Sequence, residues 1–468
     1  MNRFYKRTQV PVSAQQLYDW HARGGAFERL TPPWDTVRIV SWKGGEKTSH
    51  LSEQAQFGDI SKGAQVCISL QQAFMKMHWK AEHVDSKEGE FFVDRQISGP
   101  FSFWEHHHRC IPIDASNSFL EDEIHYKMPL HPLGNIALSF MQRKLQSMFA
   151  YRHEITKRDL LSYNRYHGHA KTLRIAITGA SGLIGRQLVA YLQGAGHEIY
   201  PMNRKKKGEK NEIIWSSSGF DIAPLEGMDA VIHLAGESIA SRWTMQKKKK
   251  ILESRIDGTK ALAEAISQLT NPPKTFISTS AIGFYGNRGD EELDEHSKRG
   301  QGFLADVCEE WELSAQKARD AGIRVVHPRI GIVISSQGGA LEPMLLPFSC
   351  GLGGHMGSGQ QFMSWISIDD ILDLFLWVLH DETIEGAVNF TSPNPIRNRD
   401  FSHQLGHVLH RPTFFPVPER ILTMILGEMA QGLILDGAKV LPKKAQQSGF
   451  QWRYNDLQDV FRHELGFN

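Results

Sequence analysis

Three glycines, Gly179, Gly182 and Gly185, are spaced three apart with Ser181, Leu183 and Ile184 among them. They follow the apolar run Ile175-Ala176-Ile177-Thr178 and precede a helical run from Arg186 to Gln193. Each glycine has a distinct use: Gly179 permits a sharp turn, Gly182 lets backbone approach a pyrophosphate, and Gly185 lets a helix pack tightly on a strand. The helix N-terminus then offers N–H donors and a positive dipole to the phosphates. The spacing predicts a dinucleotide cradle inside a βαβ unit. An NAD-specific cradle would carry Asp or Glu about 20 residues further on, at the end of the second strand. This chain has Asn203-Arg204-Lys205-Lys206-Lys207 there. A carboxylate would repel a 2′-phosphate, whereas guanidinium binds it through paired, charge-assisted hydrogen bonds. NADP(H) is therefore expected, with Asn203 and Arg204 at its adenosine end; the alternative is a solvated basic loop.

Other chemistry-bearing residues stand where strands should end. Leu234-Ala235-Gly236-Glu237 follows Val231-Ile232-His233, and Ser278-Thr279-Ser280 follows Phe276-Ile277. Open parallel sheets bind ligands at such carboxyl ends. The triplet His106-His107-His108 invites a metal reading, but strand side chains alternate, so only His106 and His108 can share a face. Two histidines without a carboxylate or cysteine at suitable spacing make a weak site, so hydrogen-bonded sheet histidines are favoured and no metal is expected. Lys247 to Lys250 reads as a solvated helix surface. Cys67, Cys110, Cys308 and Cys350 lie far apart, which argues against a zinc knuckle or a disulfide framework and for a reducing, cytoplasmic setting.

The elements that must position these groups fall into two blocks. Residues 1 to about 165 read as antiparallel strands over 37–42, 65–70, 75–82, 90–97, 101–109 and 118–126, then one amphipathic helix carrying Ile136, Leu138, Phe140, Met141, Leu145, Met148 and Phe149. A curved sheet wrapped on a helix is expected. The polar stretch 163–171 marks the boundary. From Leu173 the rhythm is strand, glycine turn, helix, strand, with buried strands at 173–178, 198–202, 230–234, 275–279 and 324–330. Glycine-rich residues 351–359 suit a lid over the cofactor. The apolar stretch Ile421 to Leu435 is interrupted by Glu428 and Gln431 and is too short for a membrane span, so it reads as a buried amphipathic helix. No apolar signal core follows the N-terminal charges. With 53 Lys and Arg against 52 Asp and Glu, no global field favours nucleic acid or an anionic membrane.

Pro32-Pro33-Trp34, Gly99-Pro100-Phe101, Trp104-Glu105-His106-His107-His108 and Tyr151-Arg152-His153 resemble the START-like, helix-grip superfamily, which implies an α+β domain with a cavity for an apolar ligand. Thr178 to Gly185, Leu234 to Glu237, Arg242-Trp243-Thr244, Ser254-Arg255, Ser280 with Tyr285-Gly286, Trp311-Glu312, Pro328 to Val333, Met363 to Ile366 and Asn394-Pro395 resemble the atypical short-chain dehydrogenase/reductase family known as sugar-nucleotide epimerase-like. That resemblance implies an α/β Rossmann domain with a parallel sheet of the extended type over 172–468. It makes 398–468 the family-specific C-terminal segment and places Ser278 and Pro328 along the cofactor. Ordinary members of the superfamily use Tyr-x-x-x-Lys, in which lysine tunes the tyrosine that moves the proton. Here Tyr285 is the single tyrosine between Tyr200 and Tyr454, and Arg288 and Gly289 follow it in place of that lysine. Ser280, Tyr285 and Cys308 are the catalytic candidates, with Glu237 a further carboxylate. Two readings stay open: an oxidoreductase or epimerase acting on a carbonyl or sugar-nucleotide-like small molecule, and a catalytically weak NADP(H) sensor. Oligomeric state does not follow from the sequence.

Overall fold

The computed structural model describes residues 1–45, 58–72, 75–129, 138–167, 171–208 and 211–467. By internal contacts the chain forms two compact units. The first comprises Met1–Ala170, Ala190–His197 and His463–Asn468, the second Lys171–Val189 and Glu198–Arg462.

The first unit is built on a seven-stranded antiparallel sheet. Its order is Asn2–Val10, Ser118–Lys127, Phe103–Pro112, Phe91–Ser98, Met75–Lys87, Gln65–Gln72 and Thr36–Lys43. The strand Phe103–Pro112 alternates strictly, burying Trp104, His106, His108 and Cys110, as a sheet with one covered face requires. Asn2–Val10 raises the count beyond the six strands expected, pairing with Ser118–Lys127 from Asn2↔Tyr126 to Val10↔Ser118. A Ser13–Gln16 capping box starts the helix Ala14–Ala22, satisfying donors the first turn would otherwise leave open. The long helix Leu138–Ser162 buries Leu145 and Phe149 against Trp104, Ile124 and Tyr126. Ile136, assigned to this helix from its spacing, lies outside the described residues.

The second unit is built on an eight-stranded parallel sheet ordered Ile213–Ile214, Glu198–Asn203, Arg174–Thr178, Ala230–His233, Thr275–Ser278 and Arg324–Ile330, with Ser280–Ala281 and Gly386–Phe390 each also pairing with the last. The order reverses between Arg174–Thr178 and Ala230–His233, which pair in parallel from Ala230↔Ile175 to His233↔Thr178. Such a reversal opens a crevice beyond the strand ends. The run Ile421 to Leu435 corrects the expectation of one buried helix. It breaks into Glu419–Leu426, Glu428–Ala430 and Gln431–Leu435 at Gly427, whose φ is +64°. Leu426, Met429 and Leu433 pack with Trp243, Ile251 and Val307, while Ile421, Met424 and Ile425 face outward. No helix among the described residues is long and apolar enough to cross a membrane.

Candidate functional site

The crevice is lined first by the glycine turn. Gly179 has φ +69°, and a Cβ there would stand 2.9 Å from Ala235 N, so only glycine fits both the turn and the neighbouring strand end. A Cβ on Gly185 would meet the Gly179 carbonyl oxygen at 2.1 Å, whereas one on Gly182 would meet only that oxygen, at 3.3 Å. Gly185 is buried in the first turn of the helix Leu183–Gly194, while Ser181 and Gly182 are exposed at the mouth and Leu183 and Ile184 are half-buried. Thr178 ties the reversal together: its Oγ1 accepts from Leu234 N at 3.2 Å and Ala235 N at 3.3 Å and lies 2.7 Å from His233 Nδ1. Burial, reinforced by the Arg255 charge, holds the His233 pKa down at about 3, so that ring is neutral at physiological pH. Sequence reasoning quoted Thr178 and His233 only as strand, because what joins them is pairing between strands.

The basic stretch occupies the end of the second strand. Asn203 is buried, and Arg204 to Gly208 are exposed. Glu212, which sequence reasoning did not single out, shapes this loop by accepting hydrogen bonds from Asn203 Nδ2 at 2.9 Å, Lys207 N at 2.8 Å and Gly208 N at 3.0 Å. Its carboxylate is thereby turned to backbone donors. Leu234 and Ala235 are half-buried and Gly236 is exposed, with Arg255 behind Gly236. Arg255 Nη1 donates to Glu237 O at 3.0 Å, and its guanidinium lies 5.0 Å over the Trp311 ring. Glu237 pairs with Lys247 at 2.7 Å, and that hydrogen bond and charge hold its carboxyl below the usual range. Lys248 pairs with Glu428 at 2.7 Å. With Lys249 pairing to Glu253 at 3.5 Å, three of the four lysines read as solvated surface are engaged in ion pairs.

At the next strand end, Ser278 and Ser280 are buried, and the Ser280 hydroxyl lies beside the Cys308 thiol and the Glu312 carboxylate. Pro328 is buried in the adjoining strand Arg324–Ile330. Tyr285 is fully buried; its hydroxyl donates to Asn389 Oδ1 at 2.7 Å and accepts from Arg329 Nη1 at 3.0 Å. Arg329 in turn makes a two-pronged contact with Glu312 at 2.8 and 2.9 Å. Burial pushes the Tyr285 phenol up to about 12 and the Cys308 thiol up to about 11. Both groups keep their protons near neutrality, so neither is poised as a base or as a thiolate nucleophile. Glu312 and Arg329 entered the sequence reading only as motif letters. The glycine-rich stretch proposed as a lid is tied by Phe415 N to Gly353 O at 3.2 Å and Val417 N to His355 O at 2.9 Å.

Comparison with known proteins matches residues 175–389 to the NAD dependent epimerase/dehydratase family. Residues 417–464 match a domain of unknown function, DUF1731, and residues 10–154 match polyketide cyclase / dehydrase and lipid transport. An Arabidopsis thaliana protein named epimerase family protein SDR39U1 homolog, chloroplastic, is 39% identical over 302 residues, covering 62% of this chain and 86% of its own. A Corynebacterium glutamicum structure described as a nucleoside-diphosphate sugar epimerase is 30% identical with a TM-score of 0.79, covering 99% of this chain and 90% of its own. The human epimerase family protein SDR39U1, solved with NADPH, is 32% identical with a TM-score of 0.59, covering 63% of this chain and 100% of its own.

Proposed function

The chain belongs to the NAD dependent epimerase/dehydratase family, with a polyketide cyclase/START-like domain at its N-terminus, and from that premise we propose that it is an NADP(H)-binding oxidoreductase or epimerase of a carbonyl or sugar-nucleotide-like small molecule. The observation that carries the cofactor choice is an exposed Arg204, without an ion-pair partner among the described residues, at the rim of a crevice whose glycine turn leaves room for a pyrophosphate. NADPH in the human relative supports it. Residues 179–185 would hold the pyrophosphate, Asn203 and Arg204 the adenosine end, and Leu234 to Glu237 the ribose; Ser278 and Pro328 would flank the nicotinamide. When bound, the cofactor supplies hydride chemistry. Ser280, whose buried hydroxyl lies beside Cys308 and Glu312, would orient the reacting oxygen; Tyr285 and Cys308 act as positioning groups beneath it. The matches at 10–154, 175–389 and 417–464 support domain limits at 1–165 and 172–468 with a separate C-terminal segment. Free cysteines support a reducing, cytoplasmic setting, and a cavity of about 290 Å³ in the first unit supports an apolar ligand there.

One observation favours the second reading, a weakly catalytic sensor: the two candidate proton carriers are buried and held in their protonated forms. A sensor must bind oxidised and reduced cofactor in conformations of different affinity. The cofactor assignment is tested by fluorescence titration. NADPH should bind more tightly than NADH, and Arg204→Ala should weaken NADPH about tenfold while sparing NADH, since a hydrogen bond to a charged group contributes roughly 1.5 kcal/mol or more. Equal affinities in the parent, or equal losses in the variant, would overturn it.

A further inference from the structure

The first unit contains a cluster that the dinucleotide crevice does not explain. Its cavity of about 290 Å³ is walled largely by apolar side chains such as Ile68, Trp79, Phe92, Trp104 and Leu145, yet Asp94, His106 and His108 open onto it together. Strand register brings them there. Asp94 pairs across from His106, and His108 pairs across from Asp122, so groups far apart in sequence share one inward face. The expectation that the histidines lack a carboxylate is thereby corrected, since two arrive from the neighbouring strands.

The distances suit an ion better than they suit hydrogen bonds. Asp94 Oδ1 lies 3.3 Å from His106 Nδ1 and 3.4 Å from His108 Nε2, longer than the roughly 2.7–2.9 Å of a charge-assisted bond. Ligand atoms about 2.1 Å from a tetrahedral ion stand about 3.4 Å apart. All three candidate ligand atoms fall within 4.8 Å of one another. The far sides of the rings are held as metal-bound histidines usually are, by a carboxylate behind them. His106 Nε2 bonds Asp122 Oδ1 at 3.0 Å, and Asp122 Oδ2 is fixed by His153 Nε2 at 2.6 Å, whose Nδ1 reaches Thr8 Oγ1 at 2.8 Å. That arrangement puts the His106 proton on Nε2 and leaves the Nδ1 lone pair on the Asp94 side. His108 Nδ1 also lies 2.6 Å from Asp122 Oδ1, but off the direction a hydrogen bond needs, and His83 Nδ1, facing the same cavity, has no partner among the described residues. Half-buried Asp94 and buried Asp122 face one half-buried guanidinium, Arg152.

We propose that Asp94, His106 and His108 bind one divalent transition-metal ion, of the zinc or iron(II) class that two imidazoles and a carboxylate favour, with its open coordination positions facing the apolar cavity. An oxygen-donor head on an apolar body is the ligand such a site takes. The full-length protein, stripped with a chelator, is titrated with Co²⁺ and followed by visible absorption, alongside elemental analysis of the protein as purified. One equivalent should bind with ligand-field bands. His106→Ala and Asp94→Asn should each weaken Co²⁺ at least about 100-fold, and Asp122→Asn about 10-fold. His107→Ala should leave binding unchanged, because His107 sits on the opposite strand face and pairs with Glu105 at 3.0 Å. Thermal unfolding verifies that each variant is folded. Failure of the stripped parent to take up Co²⁺, or equal binding by folded His106→Ala and Asp94→Asn variants, overturns the proposal.

Discussion

The glycine turn makes two separable demands, and a pair of single-methyl substitutions distinguishes them. In Gly185→Ala the new methyl stands 2.1 Å from the Gly179 carbonyl oxygen and 2.9 Å from Ala180 Cα. Backbone cannot yield as a side chain does, so the overpacking cost sits near the upper end of about 1–3 kcal/mol. Alanine returns about 1 kcal/mol through its better helix propensity. The net loss is about 2 kcal/mol, and for a domain of this size it lowers Tm by about 4–8 °C. In Gly182→Ala the nearest atom is 3.3 Å away and φ is not left-handed, so Tm should move by less than about 2 °C. That methyl, however, occupies the exposed edge where backbone would approach the pyrophosphate. Losing one hydrogen bond to a charged oxygen costs roughly 1.5–3 kcal/mol, or about 10–150-fold in affinity. Differential scanning of the unliganded variants, with NADPH titration of each, gives both quantities. If Gly185→Ala melts with the parent, or Gly182→Ala binds NADPH as the parent does, the steric account of the cradle is wrong.

Three further outcomes concern the same unit. Ser280→Ala should leave NADPH affinity nearly intact but lower turnover about 100-fold on a substrate found by screening carbonyl compounds and sugar nucleotides, because one transition-state hydrogen bond contributes about 3 kcal/mol. Tyr285→Phe should alter stability through the lost Asn389 bond and leave the pH profile of turnover unmoved; a shifted profile would return the proton to Tyr285. Stability should also fall with acid through His233. Its folded pKa of about 3 lies below the unfolded value near 6.5, so its contribution is complete above about pH 6.5 and is lost as pH falls toward 3. Denaturant titrations from pH 7 to 4.5 should show a shallower loss in His233→Asn than in the parent, and parallel curves would refute the assignment.

How far the sequence could be read depended on whether a feature lies along one stretch of chain or between several. Gly179, Gly182 and Gly185 act within one turn, so their spacing carried both the fold and the cradle. Arg204 was legible because the position of the second strand end follows from counting along the same βαβ unit. The strand Gly386–Phe390 of the parallel sheet was not, since Gly-Ala-Val-Asn-Phe is short and becomes a strand by pairing with Val326 to Ile330. The lysines at 247 and 248 looked solvated because their partners, Glu237 and Glu428, lie on other elements.

The histidine triplet states the point most sharply. Alternation along the strand correctly placed His106 and His108 together, but the chemistry of that pair depends on what stands across the sheet. Asp94 and Asp122 are supplied by register, and a shift of either neighbouring strand by one residue would turn its own carboxylate outward. A local pattern therefore fixes which side chains share a face, while the pairing of strands decides whether that face holds isolated imidazoles or a ligand set. The same division governs Tyr285. Its sequence context admitted a proton shuttle, and the fold instead pins its hydroxyl between Asn389 and Arg329, contributed by two adjacent parallel strands.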